Sequence, residues 1–110
     1  MTVDRDDVVR VRRRQEALDS LELERQRETT LSERLELALR DLEAWRADEA
    51  AFARMEPDDV EILRRIGFAT KQPPEDARIR IENQIAEIDA ELAESRRRRR
   101  AFERYAAALE

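Results

Sequence analysis

Apolar residues recur along two stretches of this chain with the spacing of a coiled-coil seam. In the first, Leu31, Leu35, Ala38, Leu42, Trp45 and Phe52 fall at alternating steps of four and three, with Glu49 in the slot between the last two. In the second, Ile81, Ile85, Ile88, Leu92, Ser95, Arg99, Phe102, Ala106 and Leu109 follow the same rule without a break. Such steps hold one stripe of a helix against a partner helix, so the pattern predicts two long helices. The expected fold is all-α: a long antiparallel helical hairpin, one coiled-coil domain over residues 1–110. Its parts are a helix over about 4–56, a turn region over 57–73 and a helix over about 74–109.

Upstream of Leu31 the first seam reads through Leu21 and Leu18, passing polar residues at Arg25 and Glu28. Thr30 and Glu33 have the spacing of a capping box, which would start a new helix near Thr29–Thr30. Neither glycine nor proline marks that point, which favours a continuous helix. The second helix opens at Pro73-Pro74-Glu75-Asp76, with proline suited to a first turn and acids favoured by the helix dipole.

If the helices fold back on each other, one register has paired positions summing to 133 or 134. It stacks Phe52 on Ile81, Trp45 on Ile88, Leu42 on Leu92, Ala38 near Ser95 and Leu31 on Phe102. Large residues then meet large ones, and the loop closes most easily. A seam slipped by a heptad would match as well. In this register about twenty N-terminal residues overhang, Val8, Val9 and Val11 among them.

The turn region, PDDVEILRRIGFATKQ over 57–72, reads two ways. Pro57-Asp58-Asp59 suits the start of a short helix ending at Gly67, a common residue just past a helix end. Val60, Ile62, Ile66 and Phe68 also alternate at period two, which suits a small β-hairpin around the glycine.

Composition narrows the functional classes. Charged residues make up 45% and aromatics 5%, as in long helices rather than compact globules. A two-helix hairpin buries little surface, so assembly into oligomers is expected. Histidine and cysteine are both absent, which removes disulfides, thiolate chemistry and the usual general base. The chain reads as a non-enzyme with no cofactor and no metal site. No apolar run has membrane-span length and the first residues are polar and acidic, so it reads as cytoplasmic with no membrane partner.

Around the turn the chain resembles the prefoldin β-subunit family. The matching residues are Pro57-Asp58-Asp59, then Ile62-Leu63-Arg64-Arg65-Ile66-Gly67, then Glu75-Asp76-Ala77, set between two long helices. Leu63 stands where the family's first strand has a tyrosine, and Phe68-Ala69-Thr70-Lys71 where its second strand is aliphatic. The resemblance implies a co-chaperone that assembles through turn-region strands and grips unfolded clients between helical tips. The assembly residues would be Ile62, Ile66, Gly67 and Phe68. The client or partner contacts would be Val8, Val9 and Val11 on one tip and Phe102, Tyr105 and Leu109 on the other. The alternative is a coiled-coil scaffold or adaptor binding itself or one folded partner.

Two other patterns carry less. Arg96–Arg100 and Arg12–Arg14 are candidate nucleic-acid patches, but five consecutive helical residues point all round the helix. The net charge is −5 and no aromatics interleave for base stacking. Glu33 and Glu36 are the expected partners of the run, so a solvated, ion-paired helix is the reading and nucleic acid is not an expected partner. Ile85–Leu92 is faintly similar to the first helix of the helical chorismate mutases, without the cationic groups that later helices supply there.

Overall fold

A computed structural model describes residues 4–68 and 72–110. The fold is all-α, an antiparallel helical hairpin of α1 (Arg5–Ala53), α2 (Pro57–Arg65) and α3 (Glu75–Ala108), with no strand among the described residues. Among those residues no helix is long and apolar enough to cross a membrane. α1 runs unbroken through Thr29 and Thr30. Their hydroxyls donate to the carbonyls of Arg25 and Gln26, at 3.0 and 3.1 Å. Bonded back to the preceding turn, these threonines decorate a helix interior instead of capping a new helix.

The inward stripe of α1 is a strict heptad: Ala17, Leu21, Glu24, Glu28, Leu31, Leu35, Ala38, Leu42 and Trp45 are buried or half-buried. Upstream of Glu28 this corrects the expected seam by one residue. Glu24 takes the place given to Arg25, which is exposed, and Ala17 the place given to Leu18. Every expected seam position from Ile81 to Ala106 on α3, and Leu109 just past its end, is buried or half-buried.

The helices divide into two compact units. One joins the described residues up to Arg34 to Glu87–Glu110. Its buried apolar side chains are Ala17, Leu21 and Leu31 from α1 and Ile88, Leu92 and Ala106 from α3. Between these lies a polar layer. Ser95, fully buried, donates its hydroxyl to Oε2 of Glu24 at 2.8 Å. Arg98 Nε reaches the other oxygen of Glu24 at 2.9 Å, and Arg27 reaches the same atom at 3.0 Å. Glu28 accepts from Arg99 Nε at 2.8 Å and from Arg96 Nε at 3.2 Å. Hydrogen bonding to Glu103, then attraction to Glu28, raises the pKa of the Arg99 guanidinium. Arg14 and Glu110 pair at 3.4 Å across the same two helices.

The other unit is Leu35–Ala86. Ala38, Leu42 and Trp45 are its buried apolar residues. The indole Nε1 of Trp45 donates to the carbonyl of Pro74 at 3.0 Å, and the Arg78 guanidinium lies 5.8 Å from the ring centroid. Arg78 is held over the ring by Glu75 and by Glu82, the latter at 3.1 Å. One side chain of α1 thereby holds the first turn of α3.

These contacts correct the expected register. Trp45 meets Pro74 and Arg78, not Ile88, and Ser95 meets Glu24, not Ala38. The helices are slipped by ten residues, three seam positions, from the pairing read off apolar residues alone. Leu31 then falls opposite Leu92, Leu21 opposite Phe102 and Ala17 opposite Ala106. The physical reason is the polar layer. Apolar seams match in several registers, but the expected one would set Arg99 against Leu35 and Ser95 against Ala38. A buried charge without a partner costs several kcal/mol, so the register that joins polar to polar prevails.

Candidate functional site

α2 is a nine-residue helix, too short to hold itself by propensity, and its ends are built accordingly. Pro57 occupies the first turn, where its missing N–H is no loss. Asp58 and Asp59 lie at the positive end of the helix dipole and Arg64 and Arg65 at the negative end. At the C-terminus the N–H of Phe68 reaches the carbonyl of Leu63 at 2.9 Å, and that of Gly67 reaches Arg64 at 3.2 Å. Those two bonds make a Schellman cap, which requires a left-handed residue, and Gly67 has φ +87°. The period-two pattern that suited a β-hairpin therefore belongs to a helix and its cap. The expected second strand falls largely on residues 69–71, outside the described residues.

The two sides of α2 differ. Val60 and Leu63 are half-buried. Asp58, Asp59, Ile62, Arg65 and Ile66 form the outward stripe, with Ile62 54% and Ile66 68% exposed. Phe68, just past the cap, is 66% exposed. Where α1 meets α2, Phe52, Met55, Pro57, Val60 and Arg64 line an open groove of about 530 Å³. Ile62, Ile66 and Phe68, named for assembly in the sequence, are each exposed, the two isoleucines on one stripe and Phe68 past the cap. Gly67 shapes it without contributing a side chain.

The tip residues divide. Val8, Val9 and Val11 are exposed on α1, N-terminal to the Arg14–Glu110 pair, and Tyr105 is exposed on α3. Phe102 is half-buried on the α3 seam, and Leu109, one residue past the helix end, is half-buried as well. The ten-residue slip also shortens the expected overhang, because Glu110 reaches back to Arg14.

The arginine run is drawn into the hairpin. Arg96 and Arg99 meet Glu28, Arg98 meets Glu24, and Arg97 pairs with Glu94 at 3.4 Å. The carboxylates that take the run are Glu24 and Glu28, not Glu33 and Glu36, which are exposed. As a residue type, a lone glutamate in a charged helix does not mark Glu24. Strict extension of the heptad upstream from Leu31 would have found it.

No family model, no curated protein and no solved structure matches this chain.

Proposed function

We propose that this protein is a cytoplasmic coiled-coil scaffold, whose hairpin carries a protein-binding surface at its turn. The observation that supports this reading most is the exposure of Ile62 and Ile66 on one stripe of the turn, with Phe68 exposed just beyond it. The stripe is carried by a helix with proline in its first turn and a Schellman cap at its C-terminus, in a chain that is 45% charged. Folding gains nothing from an exposed apolar side chain, and a cluster on a rigid element is what a partner surface requires. Nothing in the reading calls for a cofactor or for catalysis.

The test is sedimentation of the full chain at micromolar concentration. The scaffold reading expects species heavier than the 13.0 kDa chain, lost in an Ile62→Glu/Ile66→Glu variant whose helicity is unchanged. A stable 13.0 kDa species throughout would overturn self-assembly through the turn.

A second reading, the prefoldin-like co-chaperone, draws on the exposed tip residues Val8, Val9, Val11 and Tyr105. Exposed apolar tips hold non-native chains by contact, without a shaped pocket. Against it stands α2, a helix where that family assembles through a strand. Deleting residues 1–11 and 105–110 separates the two readings. A co-chaperone would lose suppression of client aggregation and keep its assembly, whereas a scaffold has no such suppression to lose.

A further inference from the structure

We infer that α2 is a self-complementary dimerisation element, pairing antiparallel with α2 of a second copy of this chain about a two-fold axis at Ile62. The inference rests on the scaffold reading and names the partner that its turn surface takes.

The argument is the order of residues on the outward stripe. A two-fold pairing is isologous: whatever faces position j from position i must also face i from j. With helices antiparallel and the axis at Ile62, each residue meets the one equally far on the other side. Ile62 meets Ile62 of the second copy. Asp59, three residues before, meets Arg65, three residues after, and the same pair forms again across the axis. Ile66 packs beside Asp58 and Pro57, at the edge of the contact. All of these side chains but Pro57 are on the exposed stripe.

The same acids and arginines that suit the dipole of one helix therefore form two ion pairs between antiparallel copies. A parallel pairing would set Asp59 on Asp59 and Arg65 on Arg65. Arg65 at present touches its own Glu61 at 2.9 Å, but both side chains are more than 60% exposed. An open surface pair of that kind is worth little and leaves Arg65 able to turn to a better partner. Asp58, Glu61, Ile62 and Arg65 also line a shallow depression on this face. A nine-residue helix offers well under the ~800 Å² per partner of a standard interface, so the pairing is reversible and sensitive to salt.

The experiment uses charge reversal in the full chain, read by sedimentation and by native mass spectrometry of two differently tagged copies. Asp59→Arg alone sets arginine against arginine twice, and Arg65→Asp alone sets acid against acid twice. Each variant should self-associate at least about tenfold more weakly than the natural chain, with helicity unchanged. Mixing the two variants should restore attraction at both pairs and give mainly heterodimers. The double variant Asp59→Arg/Arg65→Asp should regain self-association. Single variants that associate like the natural chain, or a mixture no richer in heterodimer than chance, overturn the two-fold pairing. If those fail while Ile62→Glu/Ile66→Glu still dissolves the assembly, the scaffold reading stands without this geometry. Should the isoleucine variant stay assembled, both fall.

Discussion

Ser95 donates its hydroxyl to Glu24 at 2.8 Å, and both residues are buried on a seam that is otherwise mostly apolar. This bond, with the Arg99–Glu28 pair beside it, ties the two helices at one place along their length. A polar residue on a coiled-coil seam costs stability and specifies register, because sliding the helices strands it without a partner. Here the specification works against a particular competitor, the pairing ten residues away in which the apolar residues also match.

The first prediction concerns that competition. Ser95→Ala should cost about 1 kcal/mol, since Glu24 keeps Arg98 and Arg27. Glu24→Ala should cost more, about 2–3 kcal/mol, because it leaves the buried Ser95 hydroxyl unpaired and Arg98 short of its acceptor. Replacing Glu24, Glu28 and Arg99 with Leu and Ser95 with Ala should keep the helices but loosen the register. The chain has no cysteine, so engineered pairs report cleanly. A Leu31→Cys/Leu92→Cys pair should oxidise in the natural background, and a Leu31→Cys/Phe102→Cys pair only in the apolar-seam background.

The second prediction tests which core residues touch. Leu31→Ala and Leu92→Ala, both at 4% exposure, should each cost about 2–4 kcal/mol. Combined, they should depart from additivity by at least about 0.5 kcal/mol, whereas Leu31→Ala with Phe102→Ala should add. Urea melts of the three single and two double variants decide it. Coupling of Leu31 to Phe102 instead would restore the register expected from apolar matching.

A third prediction isolates the clamp on α3. Trp45→Phe keeps an aromatic ring but removes the donor to Pro74 and part of the buried indole, so it should cost about 2–3 kcal/mol. Amide exchange should speed up in the first turn of α3, from Glu75 to Arg78, before any other part of that helix. Uniform protection in the variant would show that the indole bond does not hold the helix start.

The fourth prediction concerns Gly67. Nothing lies within 4 Å of a Cβ added there, so the cost of substitution is conformational alone. With φ at +87°, Gly67→Ala should cost about 1–2 kcal/mol, Gly67→Asn less and Gly67→Val more. The loss should appear as faster amide exchange in α2 while the Ser95–Glu24 layer stays protected. Equal tolerance of valine and asparagine would mean that the cap is not formed in solution.

What the sequence determined by itself is the part set by local physics. The four-three recurrence of apolar residues dictates two long amphipathic helices, because burial of one stripe is the same problem wherever the partner lies. Continuity through Thr29 and Thr30 was readable too, from the lack of any residue that breaks a helix. Tertiary structure alone decided the register. Apolar contact is nearly indifferent to sliding by seam positions, so the choice fell to Glu24, Glu28, Ser95 and Arg99, whose desolvation is tolerable only when they meet one another. It also decided the turn. Val60, Ile62, Ile66 and Phe68 fit a strand as readily as a helix, and what separates the two is the pair of bonds that Gly67 closes over the end of α2. Once those bonds form, Val60 and Leu63 turn inward and Ile62, Ile66 and Phe68 are left at the surface. The residues of the candidate site were therefore legible as apolar, but their exposure follows from a cap geometry that no spacing rule encodes.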